Sequence, residues 1–145
     1  MPGGKSARSG AGYAGTPLPR KLGIRAGDRV VALSAPWEYG EVVAPLPDGA
    51  TVSTRMPASA RFVHLFVRNA AELERRLPAL DRALADDGMI WISWPKKSSG
   101  LATDLTEDGL RRAALPLGLV DVKVCAVDEV WSGLKVVRRL RERGR

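Results

Sequence analysis

The sequence predicts an α/β fold, a mainly parallel sheet with helices on both faces and an antiparallel hairpin at its C-terminal end. Three observations carry that reading. Short apolar runs such as Arg29 to Ser34 (RVVALS), Arg61 to Val67 (RFVHLFV) and Met89 to Trp94 (MIWISW) lack polar alternation, as strands buried on both faces do. Leucines recur at helical spacing between those runs. The resulting order is strand, helix, strand, strand, helix, strand, helix, strand, strand, and alternation of this type belongs to sheets covered on both sides.

The first 12 residues are rich in Gly, Ser and Arg without apolar periodicity, so they read as a disordered basic tail. One α/β domain is expected over residues 13–138, followed by a second basic tail over 139–145. Turn formers crowd the stretch from Gly12 to Pro19, and Ala26-Gly27-Asp28 turns the chain into the first strand at Arg29. A short helix fits between Trp37 and Leu46, closed by Pro45 and the turn Pro47-Asp48-Gly49. Thr51 to Arg55 reads as a weaker strand. Only Pro57 to Ala60 separates it from the next strand, too few residues for a crossover helix, so the link is either a hairpin or a bare crossing.

Asn69 is placed to cap the next helix, with Glu72 in its third position to complete a capping box. Leu73, Leu77, Leu80 and Leu84 form its apolar stripe, and Pro78 should kink or divide it. Asp86-Asp87-Gly88 reads as the turn that ends this helix before the strand at Met89. Thr106 caps a further helix that carries Glu107 and Asp108 in its positively polarised first turn. Leu110, Ala113, Ala114 and Leu117 face the core from it, until Pro116 and Gly118 stop the helix. Two closing strands, Val120 to Val127 and Trp131 to Val137, then fold back on one another.

Composition narrows the function. Of 145 residues, 45% are hydrophobic and 27% charged, the range of a folded soluble chain. No apolar run approaches the roughly 18 residues of a membrane span, and the first 15 residues hold no apolar block of the signal-peptide type, so a cytoplasmic location is expected. Cys125 is the only cysteine and His64 the only histidine, which leaves no intrachain disulfide and no thiolate metal site. The net charge of +7 is uneven: residues 1–29 and residues 135–145 each carry six basic residues against one acid. Such ends can bind nucleic acid through its phosphates, which is one alternative function.

Leu84-Ala85-Asp86-Asp87-Gly88-Met89-Ile90-Trp91-Ile92 and the closing hairpin resemble the second half of the class I S-adenosylmethionine-dependent methyltransferase fold. That resemblance implies a Rossmann-like frame, here a truncated one. It also implies a glycine-rich turn after the first strand and a carboxylate at the end of the second. This chain has Ser34-Ala35-Pro36-Trp37 at the first place and Ser53-Thr54-Arg55 at the other. Two cofactor determinants are therefore missing, which argues against methyl transfer and leaves the chain with no assigned cofactor. From Ala11 onward the sequence is also similar to a family of small bacterial proteins, a domain of unknown function. The likeness lies in Ala11-Gly12-Tyr13-Ala14-Gly15-Thr16-Pro17-Leu18, Trp94-Pro95-Lys96-Lys97-Ser98-Ser99-Gly100 and Val124 to Gly133.

The candidate site is the segment from Trp94 to Thr106, which leaves the carboxyl end of a strand and enters a helix N-terminus. Lys96 and Lys97, the hydroxyls of Ser98, Ser99 and Thr103, and the backbone N–H groups near Thr106 can hold a small anion. Asp104, Glu107 and Asp108 oppose it. The main functional expectation is a binding or interaction module for such an anion or for a partner protein, with a divergent transferase as a further alternative. Asp128 or Glu129 is expected to pair with Lys96 or Lys97. His64, between Phe62 and Phe66, reads as a satisfied buried imidazole, and Cys125 as a small buried apolar residue beside Lys123.

Overall fold

A computed structural model describes residues 16–139, so the N-terminal tail and all but the first residue of the C-terminal tail lie outside it. In chain order the elements are α1 (Leu18–Leu22), β1 (Arg29–Leu33), α2 (Tyr39–Val42), β2 (Thr51–Ser53), β3 (Ala60–Phe66), α3 (Ala70–Ala83) and β4 (Leu84–Pro95), then α4 (Glu107–Ala114), β5 (Leu119–Ala126) and β6 (Trp131–Arg138). Single 3-10 turns at Lys97–Ser99 and Leu115–Leu117 flank α4.

The six strands form one sheet in the order β2-β1-β3-β4-β6-β5. Neighbouring pairs from β2 to β4 are parallel, and β6 runs antiparallel to both β4 and β5. This is the mainly parallel, hairpin-closed sheet that the sequence predicts. β2 and β3 both pair with β1, on opposite sides of it, so the link over residues 54–59 is a bare crossing and not a hairpin.

Helices cover both faces. Leu73, Leu77 and Leu80 of α3 and Leu110 and Ala114 of α4 pack on Val31, Val63, Leu65, Ile90, Ile92 and Leu134. On the other face, Leu18 and Leu22 of α1 and Tyr39 of α2 pack with Val30, Phe62, Phe66, Trp91 and Trp131. The alternating neighbours along Val30–Leu33 and Phe62–Phe66 thus enter opposite layers, which is why these buried stretches contain no polar position except His64.

The helix caps follow the sequence closely. Asn69 Oδ1 accepts the Glu72 N–H at 2.9 Å, and Thr106 Oγ1 accepts the Gly109 N–H at 3.0 Å. Glu72 reaches back one residue further than a capping box requires, taking the Arg68 N–H at 3.0 Å.

Several expectations need correction. Pro78 does not divide α3, which runs unbroken from Ala70 to Ala83. Leu84 is buried among the helix leucines as the stripe requires, but it opens β4, and Arg138 from β6 donates to the carbonyls of Asp81 and Leu84 at 3.0 Å each where the helix ends. Asp86-Asp87-Gly88 is an irregularity inside β4: that strand advances five residues from Leu84 to Met89 while β3 advances two from Ala60 to Phe62. Gly88 is needed there, since a Cβ would lie 2.7 Å from Leu84 Cδ1 and 3.0 Å from the Arg61 carbonyl oxygen. β5 is an exposed edge strand, with Val122 and Val124 54% and 45% exposed. Helix α1 is an element that the turn formers over Gly12 to Pro19 do not predict. Its prolines sit at the helix start and Gly23 adopts φ 83° at its end, so residues that often mark turns here mark the two ends of a helix.

Candidate functional site

Ligands of open parallel sheets sit beyond the carboxyl ends of the strands, at the point where strand order reverses. In this sheet that point lies between β1 and β3, because the chain moves outward from β1 to β2 and then crosses back to β3. A cleft of about 240 Å³ opens beside it, lined by Ala32, Ser34, Ala35, Trp37, Tyr39 and Thr54, among others.

The loop after β1 shapes this cleft. Ser34 leaves the strand with φ 62°, the left-handed region that side-chain-bearing residues rarely adopt. Its Oγ accepts a hydrogen bond from Arg76 Nη1 of α3 at 2.5 Å. Three residues on, Trp37 donates its Nε1–H to Asp128 Oδ2 at 3.2 Å and meets the edge of Phe66, with ring centroids 5.3 Å apart. Asp128 is buried, and its Oδ1 accepts the N–H groups of Val130 and Trp131 at 2.8 Å each. The carboxylate therefore ties the β1 exit to the closing hairpin, in place of the expected pairing with Lys96 or Lys97. Glu129 points to solvent.

Behind the cleft wall is a buried polar chain. Tyr39 Oη lies 2.8 Å from His64 Nδ1, and His64 Nε2 lies 2.8 Å from Ser93 Oγ. Stacked on Phe66 at 4.4 Å between centroids, the imidazole is the satisfied core histidine the sequence indicates. Burial lowers its pKa to about 3, so it is neutral at ordinary pH. Burial likewise pushes the Tyr39 hydroxyl well above its usual value. Neither group is placed to exchange protons with a ligand at neutral pH.

Within the predicted loop site, Trp94, Ser99, Thr103 and Thr106 are engaged locally. Trp94 is core. The Lys96 N–H goes to the Val130 carbonyl at 2.8 Å, and Ser99 Oγ donates to the Lys96 carbonyl at 2.6 Å. Thr103 Oγ1 accepts the Leu105 N–H, Thr106 caps α4, and Asp104 Oδ1 accepts the Ala70 N–H at 2.8 Å. Lys97 and Ser98 are exposed. Cys125 is half-buried, and burial raises its pKa against the opposing pull of Lys21 and Lys123, so it is no activated thiol. Among the described residues, no His, Cys, Asp and Glu side chains gather into a metal site.

Sequence reasoning missed Ser34, Tyr39, Arg68 and Arg76 as members of the strand-end region. Ser34 and Tyr39 line the cleft and Arg76 reaches Ser34 from α3, contacts that only the folded chain makes, and the one local signal is the Ser-Ala-Pro-Trp stretch itself.

The fold has solved counterparts. The chain is similar to a ribosomal protein L11 methylase from Lactobacillus delbrueckii subsp. bulgaricus (13% identity, 95% of this chain and 82% of that one, TM-score 0.54). It is similar to magnesium protoporphyrin IX methyltransferase from Synechocystis PCC 6803 with bound S-adenosylhomocysteine (12%, 93% and 83%, TM-score 0.55). It also matches LepI in complex with S-adenosylmethionine (13%, 88% and 48%, TM-score 0.52). No protein-family model and no curated protein matches the chain. Likeness at these identities shows a methyltransferase-like α/β fold and nothing finer. The β1 exit does not fit S-adenosylmethionine in the pose that a glycine-rich turn allows, because Pro36 stiffens the turn and the Trp37 ring is held there by Asp128.

Proposed function

We propose that this protein is a divergent member of the methyltransferase-like fold that binds a small ligand with a flat ring in the cleft at the carboxyl ends of β1 and β2. The observation that carries the reading is that cleft, beside the strand-order reversal, with Trp37 in its wall and the strained Ser34 at its edge. The fold relatives favour transfer chemistry over a module without chemistry, and adenosyl compounds are the first ligands to try. The departures at Pro36, Trp37 and Arg55 favour a changed ligand or pose, so no methyl-transfer step is drawn. Membership in a family of small bacterial proteins, and a single domain over residues 13–138, belong to the same proposal.

Calorimetric titration of the full chain with adenosine, S-adenosylhomocysteine and S-adenosylmethionine tests it. At least one is expected to bind with a Kd below about 1 mM, near 4 kcal/mol. Thr54→Trp, an exposed change at the cleft mouth, should abolish that binding without unfolding the protein. Failure of all three ligands in the wild type removes the reading.

A second reading keeps the anion or partner-protein module at Lys96, Lys97, Ser98, Ser99, Thr103 and Thr106. It is favoured by the exposure of Lys97 and Ser98. Binding by the basic termini to nucleic acid is the third; it predicts an affinity that falls steeply with salt and does not depend on Lys96 or Lys97.

A further inference from the structure

At the edge of the β1/β2 cleft, an arginine of α3 meets the loop that leaves β1. A non-glycine residue held in the left-handed region is strained and persists only where its surroundings hold it there. Ser34 is such a residue; it is exposed, and the contact that holds its hydroxyl is the 2.5 Å bond from Arg76 Nη1. That bond uses one of the five N–H donors of a planar guanidinium and fixes the direction of the others. The nearest acid, Glu72, stands 3.6 Å from Arg76 and gives its other oxygen to the Arg68 N–H, so it steadies the arginine without filling its fork.

Arg68 follows the end of β3 and is exposed. Its guanidinium lies 6.0 Å from the centroid of the Trp131 ring. Among the described residues it forms no ion pair. Arg68, Glu72 and Arg76 sum to one net positive charge, and the Ser34 hydroxyl that Arg76 holds lines the cleft. Glu38, exposed in the cleft wall, is the other acid that opposes an anion here.

We propose that Ser34, Arg76 and Arg68 form a subsite for a phosphate or carboxylate carried by the ligand of the cleft. Arg76 receives two of its oxygens through its fork, and Arg68 approaches from the Trp131 ring. This inference rests on the cleft reading and deepens it by naming the chemistry at one end of the occupant. It differs from the lysine-loop reading, since it involves neither Lys96 nor Lys97.

Two measurements on the full chain test it. Thermal unfolding is followed in phosphate and in chloride at equal ionic strength, and adenosine 5′-monophosphate is titrated against adenosine. Phosphate should raise the wild-type midpoint, and the monophosphate should bind about tenfold tighter than the nucleoside, as a charge-assisted bidentate contact allows. Both differences should vanish in Arg76→Gln and survive in Lys96→Ala/Lys97→Ala. Arg76→Lys, which keeps the charge but not the fork, should retain only part of them and serves if the glutamine variant folds poorly. Persistence of both differences in the Arg76 variants, or their absence from the wild type, would overturn the subsite. Adenosine binding with no preference for the monophosphate would leave the cleft standing and remove the subsite. A phosphate effect that depends on Arg76, with no nucleoside binding, would do the reverse.

Discussion

On the α3 and α4 side of the sheet the packed residues are mainly aliphatic, from Val31, Leu65 and Ile92 to Leu77, Leu110 and Leu134, with Trp94 at one end. On the α1 and α2 side they include the aromatic Tyr39, Phe62, Phe66, Trp91 and Trp131, and three buried polar links run among them: Tyr39 to His64, His64 to Ser93, and the Trp91 Nε1–H to the Leu22 carbonyl at 2.8 Å. Shape alone holds the first layer, whereas the second also needs particular hydrogen-bond partners, and it is the second that continues through Tyr39 and Trp37 into the cleft. Functional change is therefore to be sought on the aromatic face.

Substitutions can separate the two layers. Leu110→Ala removes a fully buried side chain from the aliphatic layer and should cost about 3 kcal/mol in urea unfolding, with no change in binding at the cleft. An equal loss of ligand affinity in that variant would mean the layers are not separable. Asp128→Ala leaves the N–H groups of Trp37, Val130 and Trp131 without their acceptor. It should cost about 2 kcal/mol and also alter Trp37 fluorescence, the sign that the β1 exit has loosened.

His64 sharpens the comparison through pH. Its folded pKa of about 3 lies below the usual 6.5, so between those values the unfolded chain binds a proton that the folded protein refuses. This group's contribution to stability is complete above pH 6.5 and falls as the pH drops towards 3, by up to about 1.4 kcal/mol per pH unit. Subtracting the pH profile of His64→Gln from that of the wild type should isolate this acid-limb slope; matching profiles would show that the imidazole takes up its proton without penalty. The smallest effect belongs to Ser34→Gly, which relieves the left-handed strain and should stabilise the fold by up to about 1 kcal/mol. Lower phosphate affinity in that variant would accompany the gain if the strain is maintained for binding.

Much of the architecture was legible in the residues. Unbroken apolar runs gave β1, β3 and β4, and Asn69 and Thr106 marked their helices, because burial on both faces and capping both write local patterns. α1 was missed because Pro and Gly serve helix ends as well as turns. The lysine loop drew attention because its charges are consecutive, yet many of its polar groups already serve the turns and the α4 cap.

The sequence by itself determined the strands, the main helices, the sheet class and the lack of a glycine-rich turn after β1 and of an acid at the end of β2, all properties of neighbouring residues. Tertiary structure alone decided that β2 and β3 flank β1 and that Asp128 belongs to Trp37. It also decided that Ser34 meets an arginine 42 positions away and that Tyr39 meets His64 across 25. Those partners are chosen by sheet order and crossing direction. They arise from packing the whole chain at once and leave no periodic trace in any one segment.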